Sequence, residues 1–141
     1  MKRIGRVIVA AMACVALAGC ATGAPSAPTS EPDIRGVVTS VSGGAESVSL
    51  RVVWTDDAAV GAQAGYDAAQ VAVSDDTEVL ARAAAGSLTA AKAADIAVGS
   101  VVEAWFEGAV AESYPVQATA GTLLITGSYS GELPEPPGLG E

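Results

Sequence analysis

Side chains able to do chemistry are few in this chain of 141 residues, and the most reactive one is the thiol of Cys20. The second cysteine, Cys14, lies inside an apolar run from Val7 to Leu17. The chain has no histidine, which removes the commonest general base and the commonest zinc ligand. Sixteen acidic and seven basic residues give a formal charge of -9 at pH 7. This charge opposes a nucleic-acid partner, because affinity for a phosphate backbone depends on Lys and Arg.

The apolar run has the form of a signal peptide. Three basic residues precede it, and it is shorter than the roughly 20 apolar residues needed to cross a bilayer of ~30 Å. At its end, Leu17-Ala18-Gly19-Cys20 resembles the lipobox of bacterial lipoproteins. The resemblance implies cleavage between Gly19 and Cys20 and attachment of a diacylglyceryl group to the sulfur of Cys20. An ordinary secreted protein is the alternative, because Ala16-Leu17-Ala18 also fits the general signal peptidase.

A lipidated Cys20 predicts a lipid-anchored protein on the extracytoplasmic side of the cell membrane. Two acyl chains give stable attachment, since each buried methylene contributes about 0.8 kcal/mol. Cleavage discards Cys14 and lipidation uses Cys20, so no thiol remains for a disulfide, a metal or catalysis.

Cleavage of the signal peptide also removes three basic residues. Four then stand against all 16 acidic ones, and the formal charge becomes about -12.

Composition divides the chain into four parts. Residues 1–19 are the predicted signal peptide, and residues 20–33 are a Pro/Ala/Ser-rich tether that begins with the lipidated cysteine. At ~3.1 Å per residue this disordered linker could reach about 40 Å. Residues 34–127 form the predicted domain, and residues 128–141 form a disordered acidic Pro/Gly tail.

Alternation of apolar and polar residues predicts a mainly β domain. Residues 34–41 and 48–54 alternate on either side of a Gly-Gly turn, which predicts a hairpin. Further strands are predicted at residues 70–73, 77–80, 101–108 and 117–126, and a short helix in the alanine-rich segment 87–96. The order is strands, a short helix and then two strands, which resembles the five-stranded plan of the OB-fold, with its helix between the third and fourth strands. We therefore predict a small five-stranded OB-like barrel with one short helix.

Two segments, residues 98–108 and 112–118, resemble the YobA-like domains, a family of unknown function found in small bacterial lipoproteins and secreted proteins. Gly36-Val37-Val38 matches the first strand of that family, and Ser113-Tyr114-Pro115 matches its most distinctive turn. The similarity extends over residues 34–126. It implies an OB-like barrel on a lipid anchor and brings no catalytic residues with it.

The candidate ligand face lies on the predicted strand 101–108. Glu103, Trp105 and Glu107 share one parity, so Trp105 points outward between two carboxylates if the alternate residues face the interior. An outward Trp on such a strand could stack on a sugar or a base. The alternative is that a loop such as residues 56–69 covers Trp105. The two glutamates lie ~13 Å apart along a strand, which exceeds the ~5–9.5 Å separation of glycosidase carboxylates.

Tyr114 completes the candidate ligand face. We also expect its ring to close one end of the barrel, with Pro115 fixing the backbone before the last strand. The neighbouring hydroxyl of Ser113 has no histidine or lysine nearby to activate it as a nucleophile. No catalytic residue is predicted here.

The remaining acidic residues do not indicate a metal site. The pairs Asp56-Asp57 and Asp75-Asp76 lack the ligand spacing of a calcium loop, so we interpret them as solvated turn carboxylates. No cofactor is expected. The sequence therefore predicts a monomeric, non-enzymatic OB-like module that binds or scaffolds a protein or glycan of the cell envelope. The alternative is specifically a glycan-binding module that uses the face around Trp105.

Overall fold

A computed structural model describes residues 25–44 and 46–135 of the chain, so the predicted signal peptide, Gly19 and Cys20 lie outside the described residues. The described chain is mainly β, with one short 3-10 helix at Ala93–Asp95. The strands are β1 (Ile34–Gly43), β2 (Ser47–Val53), β3 (Ala68–Ser74), β4 (Glu78–Arg82), β5 (Leu88–Ala90), β6 (Ser100–Ala111) and β7 (Val116–Ser128). None of the described residues form a helix long and apolar enough to cross a membrane.

Five of the strands close into a barrel. β1 pairs antiparallel with β2 and β6, β2 pairs with β3, and β6 pairs with β7. The ring is completed by β3 and the first half of β7, which run parallel, with residues 69–72 opposite residues 116–119. The order around the ring is β1-β2-β3-β7-β6. The predicted five-stranded OB-like barrel is therefore confirmed.

The interior of the barrel is formed by the apolar residues of the alternating pattern. Its fully buried members larger than alanine are Ile34, Val38, Leu50, Val52, Val71, Val73, Val102 and Leu123. Ala104 also lies inside, and Phe106 packs against this core with its ring stacked on Tyr66 at a centroid distance of 5.8 Å. Val102, Ala104 and Phe106 are the residues that alternate with Glu103, Trp105 and Glu107, and the structure places all three toward the interior.

β1 bends along its length and pairs with β6 and β2 over different parts. Its first half pairs with β6 and its second half pairs only with β2, and the register with β2 shifts between Val38 and Ser40. Such a bulge bends a strand and allows a sheet to curl into a small barrel. Gly36 lies just before this bulge. A Cβ atom on residue 36 would stand 2.5 Å from the carbonyl oxygen of Val53. The close approach of these two backbones therefore requires glycine.

The short helix predicted at residues 87–96 is confined to three residues. Leu88–Ala90 forms β5 and pairs antiparallel with residues 80–82 of β4, and only Ala93–Asp95 turns, as a 3-10 helix. β4 in turn runs parallel to the second half of β7, so the β4–β5 hairpin extends the sheet beyond the barrel. A helix this short is marginal in water even when alanine-rich. Pairing with β4 lets Leu88 pack on a buried cluster, and this outweighs local helix propensity.

Candidate functional site

Glu103 lies on the outer wall of the barrel, as its parity predicted, but it is engaged by a neighbouring strand. It stands opposite Arg35 of β1. The Nε of Arg35 donates to Oε2 of Glu103 at 3.4 Å, and its Nη1 donates to the carbonyl oxygen of Ala62 at 2.7 Å. The side chain of Glu103 is 13% exposed. This carboxylate thus helps to hold the loop before β3 against the wall.

Trp105 is covered rather than exposed. Only 9% of the residue is accessible, and its Nε1 donates to the carbonyl oxygen of Ser30 at 2.9 Å. The apolar residues clustered with it are Leu80, Leu124, Ala27 and Leu88. Of the two alternatives, the covered ring is the one found, and the segment before β1 and the β4–β5 hairpin cover it. The loop at residues 56–69 is not the cover, because it packs Val60 against Val37 and Val101.

Residues 25–33, which we call the strap, are the described part of the predicted tether. Asp33 fixes the end of the strap through three hydrogen bonds. Its backbone N–H donates to the carbonyl of Ala104 at 2.9 Å, its carbonyl accepts from the N–H of Tyr66 at 2.9 Å, and its Oδ2 accepts from the N–H of Phe106 at 2.7 Å. Pro32 is buried beside it. The strap therefore contacts the barrel through Ala27, Ser30 and Asp33, while residues 28–31 are exposed.

A second tryptophan holds a second covering segment. Nε1 of Trp54 donates to the carbonyl oxygen of Gly61 at 3.0 Å, in the loop between β2 and β3. Trp54 packs on a cluster formed by Val37, Val60 and Val101 on the outer wall. Trp105 and Trp54 thus have the same structural role. Each indole N–H donates to a backbone carbonyl of the segment that packs over it, the strap for Trp105 and the β2–β3 loop for Trp54.

Trp105→Phe should loosen the strap. Phenylalanine keeps a ring in the cluster but cannot donate to Ser30, so we expect a loss of about 1 kcal/mol in the free energy of unfolding. Hydrogen exchange of the Asp33 N–H, which donates to the carbonyl of Ala104, should become faster relative to the amides of the barrel core. Trp54→Phe is the matched control, since it removes an equivalent bond and should leave the relative exchange at Asp33 unchanged. Equal relative exchange at Asp33 in the two variants would contradict the role assigned to Trp105.

Tyr114 does not close the barrel, because 48% of it is exposed. Its hydroxyl donates to Oδ2 of Asp67 at 3.1 Å. Partial desolvation, this hydrogen bond and the negative charge of Asp67 raise the pKa of Tyr114 above its ordinary value. The hydroxyl of Ser113 donates to the carbonyl of Pro115 at 3.0 Å and so stabilises the turn. Tyr114 and Trp105 thus bind different segments and do not form one face.

The other acidic residues lie at the surface. Glu107 is exposed on β6, and Asp75 and Asp76 are exposed in the turn between β3 and β4. Oδ1 of Asp57 accepts from the N–H of Ala59 at 2.8 Å, which stabilises a tight turn. Across the two described ranges, no three His, Cys, Asp or Glu side chains are grouped to hold a metal ion.

A groove that the sequence did not predict crosses the outer surface of β2, β3 and the first half of β7. It has a volume of about 390 Å³, and residues 109–111 at the end of β6 form one of its walls. The polar side chains that line it are Ser49, Gln70, Gln117 and Thr119. Nε2 of Gln70 donates to Oγ of Ser49 at 2.6 Å. The rest of the lining is Ala72, Ala118 and the 109–111 wall, so the lining carries no charged side chain.

Comparison of the chain with protein-family models, with curated proteins and with solved structures found no match. The resemblances to the lipobox and to the YobA-like domains therefore stay predictions. The OB-like architecture rests on the strand order and on the parallel pairing of β3 with β7.

Proposed function

We propose that this chain is a lipoprotein of the bacterial cell envelope whose OB-like barrel is a non-enzymatic binding module. The motif that ends at Cys20, directly behind an apolar run of signal-peptide length, supports the anchor. The groove on β2, β3 and β7 is the single structural observation that carries the binding role. OB-folds commonly bind elongated ligands on the face of their second and third strands, and this analogy supports the location alone.

The chemistry of the groove favours an extended polypeptide of another envelope protein. The amides of Gln70 and Gln117 offer both donors and acceptors, and the hydroxyls of Ser49 and Thr119 do the same. A peptide backbone presents N–H and C=O groups in alternation, and the small side chain of Ala72 leaves room for its approach. An uncharged lining also avoids the repulsion that an acidic groove would impose on acidic partners.

A glycan ligand is less favoured than a polypeptide. The glycan-binding alternative required an exposed ring at Trp105, and that ring lies under the strap. Recognition of sugars by stacking needs an aromatic face, and the groove lining contains no aromatic side chain. Burial of that ring removes the support for a glycan-binding face around Trp105.

Site-specific photocrosslinking in intact cells tests the groove. A photoreactive amino acid at Thr119, inside the groove, should give a discrete adduct, whereas the same probe at the exposed Val98 should not. Ala72→Arg would fill the groove from an outward-facing position, and we expect it to lower the yield at Thr119 about tenfold, as for a loss of ~1.4 kcal/mol. Equal adducts at both positions, no adduct at Thr119, or a yield unchanged by Ala72→Arg would each contradict this binding site.

A further inference from the structure

Arg51 of β2 carries a positive charge that no acidic side chain of the described residues pairs with. Its neighbours Leu50 and Val52 are buried in the interior, so Arg51 emerges on the outer surface, as Ser49 does. The residue is half-buried, and its Nε is buried without a hydrogen-bond partner. A charged N–H that is buried and unpaired is unfavourable, because it has lost water and gained no acceptor. A ligand that supplies an acceptor would relieve this cost.

Strand register places Arg51 beside the groove. Arg51 stands directly opposite Gln70 of β3, and Gln70 stands opposite Gln117 of β7; both glutamines line the groove. Residues directly opposite each other on antiparallel strands have Cβ atoms about 4.5–5.5 Å apart. The amide of Gln70 donates to Ser49, the next outward residue of β2. A guanidinium therefore adjoins the β2 side of a groove whose own lining is uncharged.

The other basic residues of the described chain do not offer an equivalent group to a ligand in the groove. Arg35 is paired with Glu103 on another part of the outer wall. Arg82 ends β4, and Lys92 precedes the 3-10 helix; neither element contributes to the groove lining. The 16 acidic residues of the chain repel anions over most of its surface. Arg51 is thus the cation that an anionic group in the groove would meet.

We infer that Arg51 binds a carboxylate of the polypeptide in the groove and so selects segments with an acidic side chain or a free C-terminus at that edge. This inference rests on the proposed polypeptide-binding function. The planar guanidinium binds a carboxylate through two parallel N–H···O bonds, and the side chain turns toward Gln70 to present its buried Nε. The far wall, residues 109–111, carries no charge. The carboxylate therefore lies on the β2 side of the groove.

Selection from random peptide libraries tests this inference. One library displays short peptides with blocked C-termini, so it offers carboxylates on side chains alone, and the other displays free C-termini. The full-length Cys20→Ser protein is the bait. We expect enrichment of Asp or Glu in the blocked library, or enrichment confined to the free library, and selection with Arg51→Gln should lose either preference. The selected peptides should crosslink to a photoreactive amino acid at Thr119 and not to one at Val98.

The affinity of one selected peptide, measured by fluorescence anisotropy, isolates the pair. Conversion of its carboxylate to an amide should weaken binding about tenfold, and this measurement needs no change in the binding site. Arg51→Gln should weaken binding by a similar factor, and Arg51→Lys should weaken it less because the charge remains without the planar fork. The amide peptide and Arg51→Gln together should bind little worse than with either change alone. Arg82→Gln, at an exposed site outside the groove, is the matched control and should leave the affinity unchanged.

The outcomes separate the role of Arg51 from the function of the groove. Peptides that crosslink at Thr119 without a preference for a carboxylate would overturn the role of Arg51 and leave the groove as a peptide site. The same holds if the amide peptide loses as much affinity for Arg51→Gln as for the unchanged site, or if Arg82→Gln weakens binding equally. Failure of both libraries to yield a peptide, or peptides that do not crosslink at Thr119, would instead overturn the proposed polypeptide-binding function.

Discussion

Cys20→Ser is expected to abolish acylation and to release the protein from the membrane. A serine hydroxyl at pH 7 is a far weaker nucleophile than a thiolate, so the thioether to diacylglycerol does not form. Each methylene of the missing chains would have contributed about 0.8 kcal/mol of membrane affinity, and a drop in membrane-bound protein of well over tenfold follows. Incorporation of an alkyne-labelled fatty acid, followed with membrane fractionation, measures both effects.

Cys14→Ser is the matched control for that experiment. Cys14 lies six residues earlier, inside the apolar run, and the predicted cleavage removes it. Its replacement should therefore leave acylation and fractionation unchanged. Label retained in the Cys20→Ser protein would contradict the lipid anchor, as would label lost from the Cys14→Ser protein. An unlabelled natural protein found in the medium would favour the alternative of ordinary secretion.

Much of the barrel could be predicted because the alternation of apolar residues that marks a half-buried strand is visible within each short segment of the sequence. A strand that buries one face needs apolar residues at every second position, and residues 48–54 show that pattern directly. Residues 101–106 are apolar except for Glu103, so the pattern alone did not select a face there, and in the structure Val102 and Ala104 lie inside. The alanine-rich segment 87–96 favours a helix by local propensity, but the helix is confined to Ala93–Asp95 because Leu88–Ala90 pairs with β4. Its structure was decided by β4, an element that the segment itself does not encode.

The covering of the outer wall could not be predicted, because the groups that cover it carry no sequence signal. Trp105 donates to the carbonyl of Ser30 and Arg35 to the carbonyl of Ala62, and any residue supplies a carbonyl. Pro32 and Asp33 are the two strap residues with a recognisable role, yet both are also typical of linkers. The groove could not be predicted either. Its serine, glutamine and alanine residues have no distinctive pattern in the sequence, and they come together only because β3 pairs with β7.

Gly65→Ala should be the most destabilising small substitution near the strap. Gly65 has a φ of +57°, and a Cβ there would overlap the carbonyl oxygen of Asp33, which accepts the N–H of Tyr66. The left-handed conformation costs an L-residue about 1–2 kcal/mol, and displacing this hydrogen bond costs about 1 kcal/mol more. We expect the free energy of unfolding to fall by about 3 kcal/mol, measured by urea unfolding of the unlipidated Cys20→Ser protein.

Gly86→Ala separates the overlap with Asp33 from the backbone strain. Gly86 also has a positive φ, +92°, but a Cβ there would meet no atom within 4 Å. Its replacement should therefore cost only the backbone penalty, about 1–2 kcal/mol, and leave hydrogen exchange at Asp33 unchanged relative to the barrel core. Gly65→Ala should both cost more and speed the relative exchange at Asp33, because Asp33 fixes the end of the strap. Equal losses of stability in the two variants would mean that strap docking does not depend on the contact between Gly65 and Asp33.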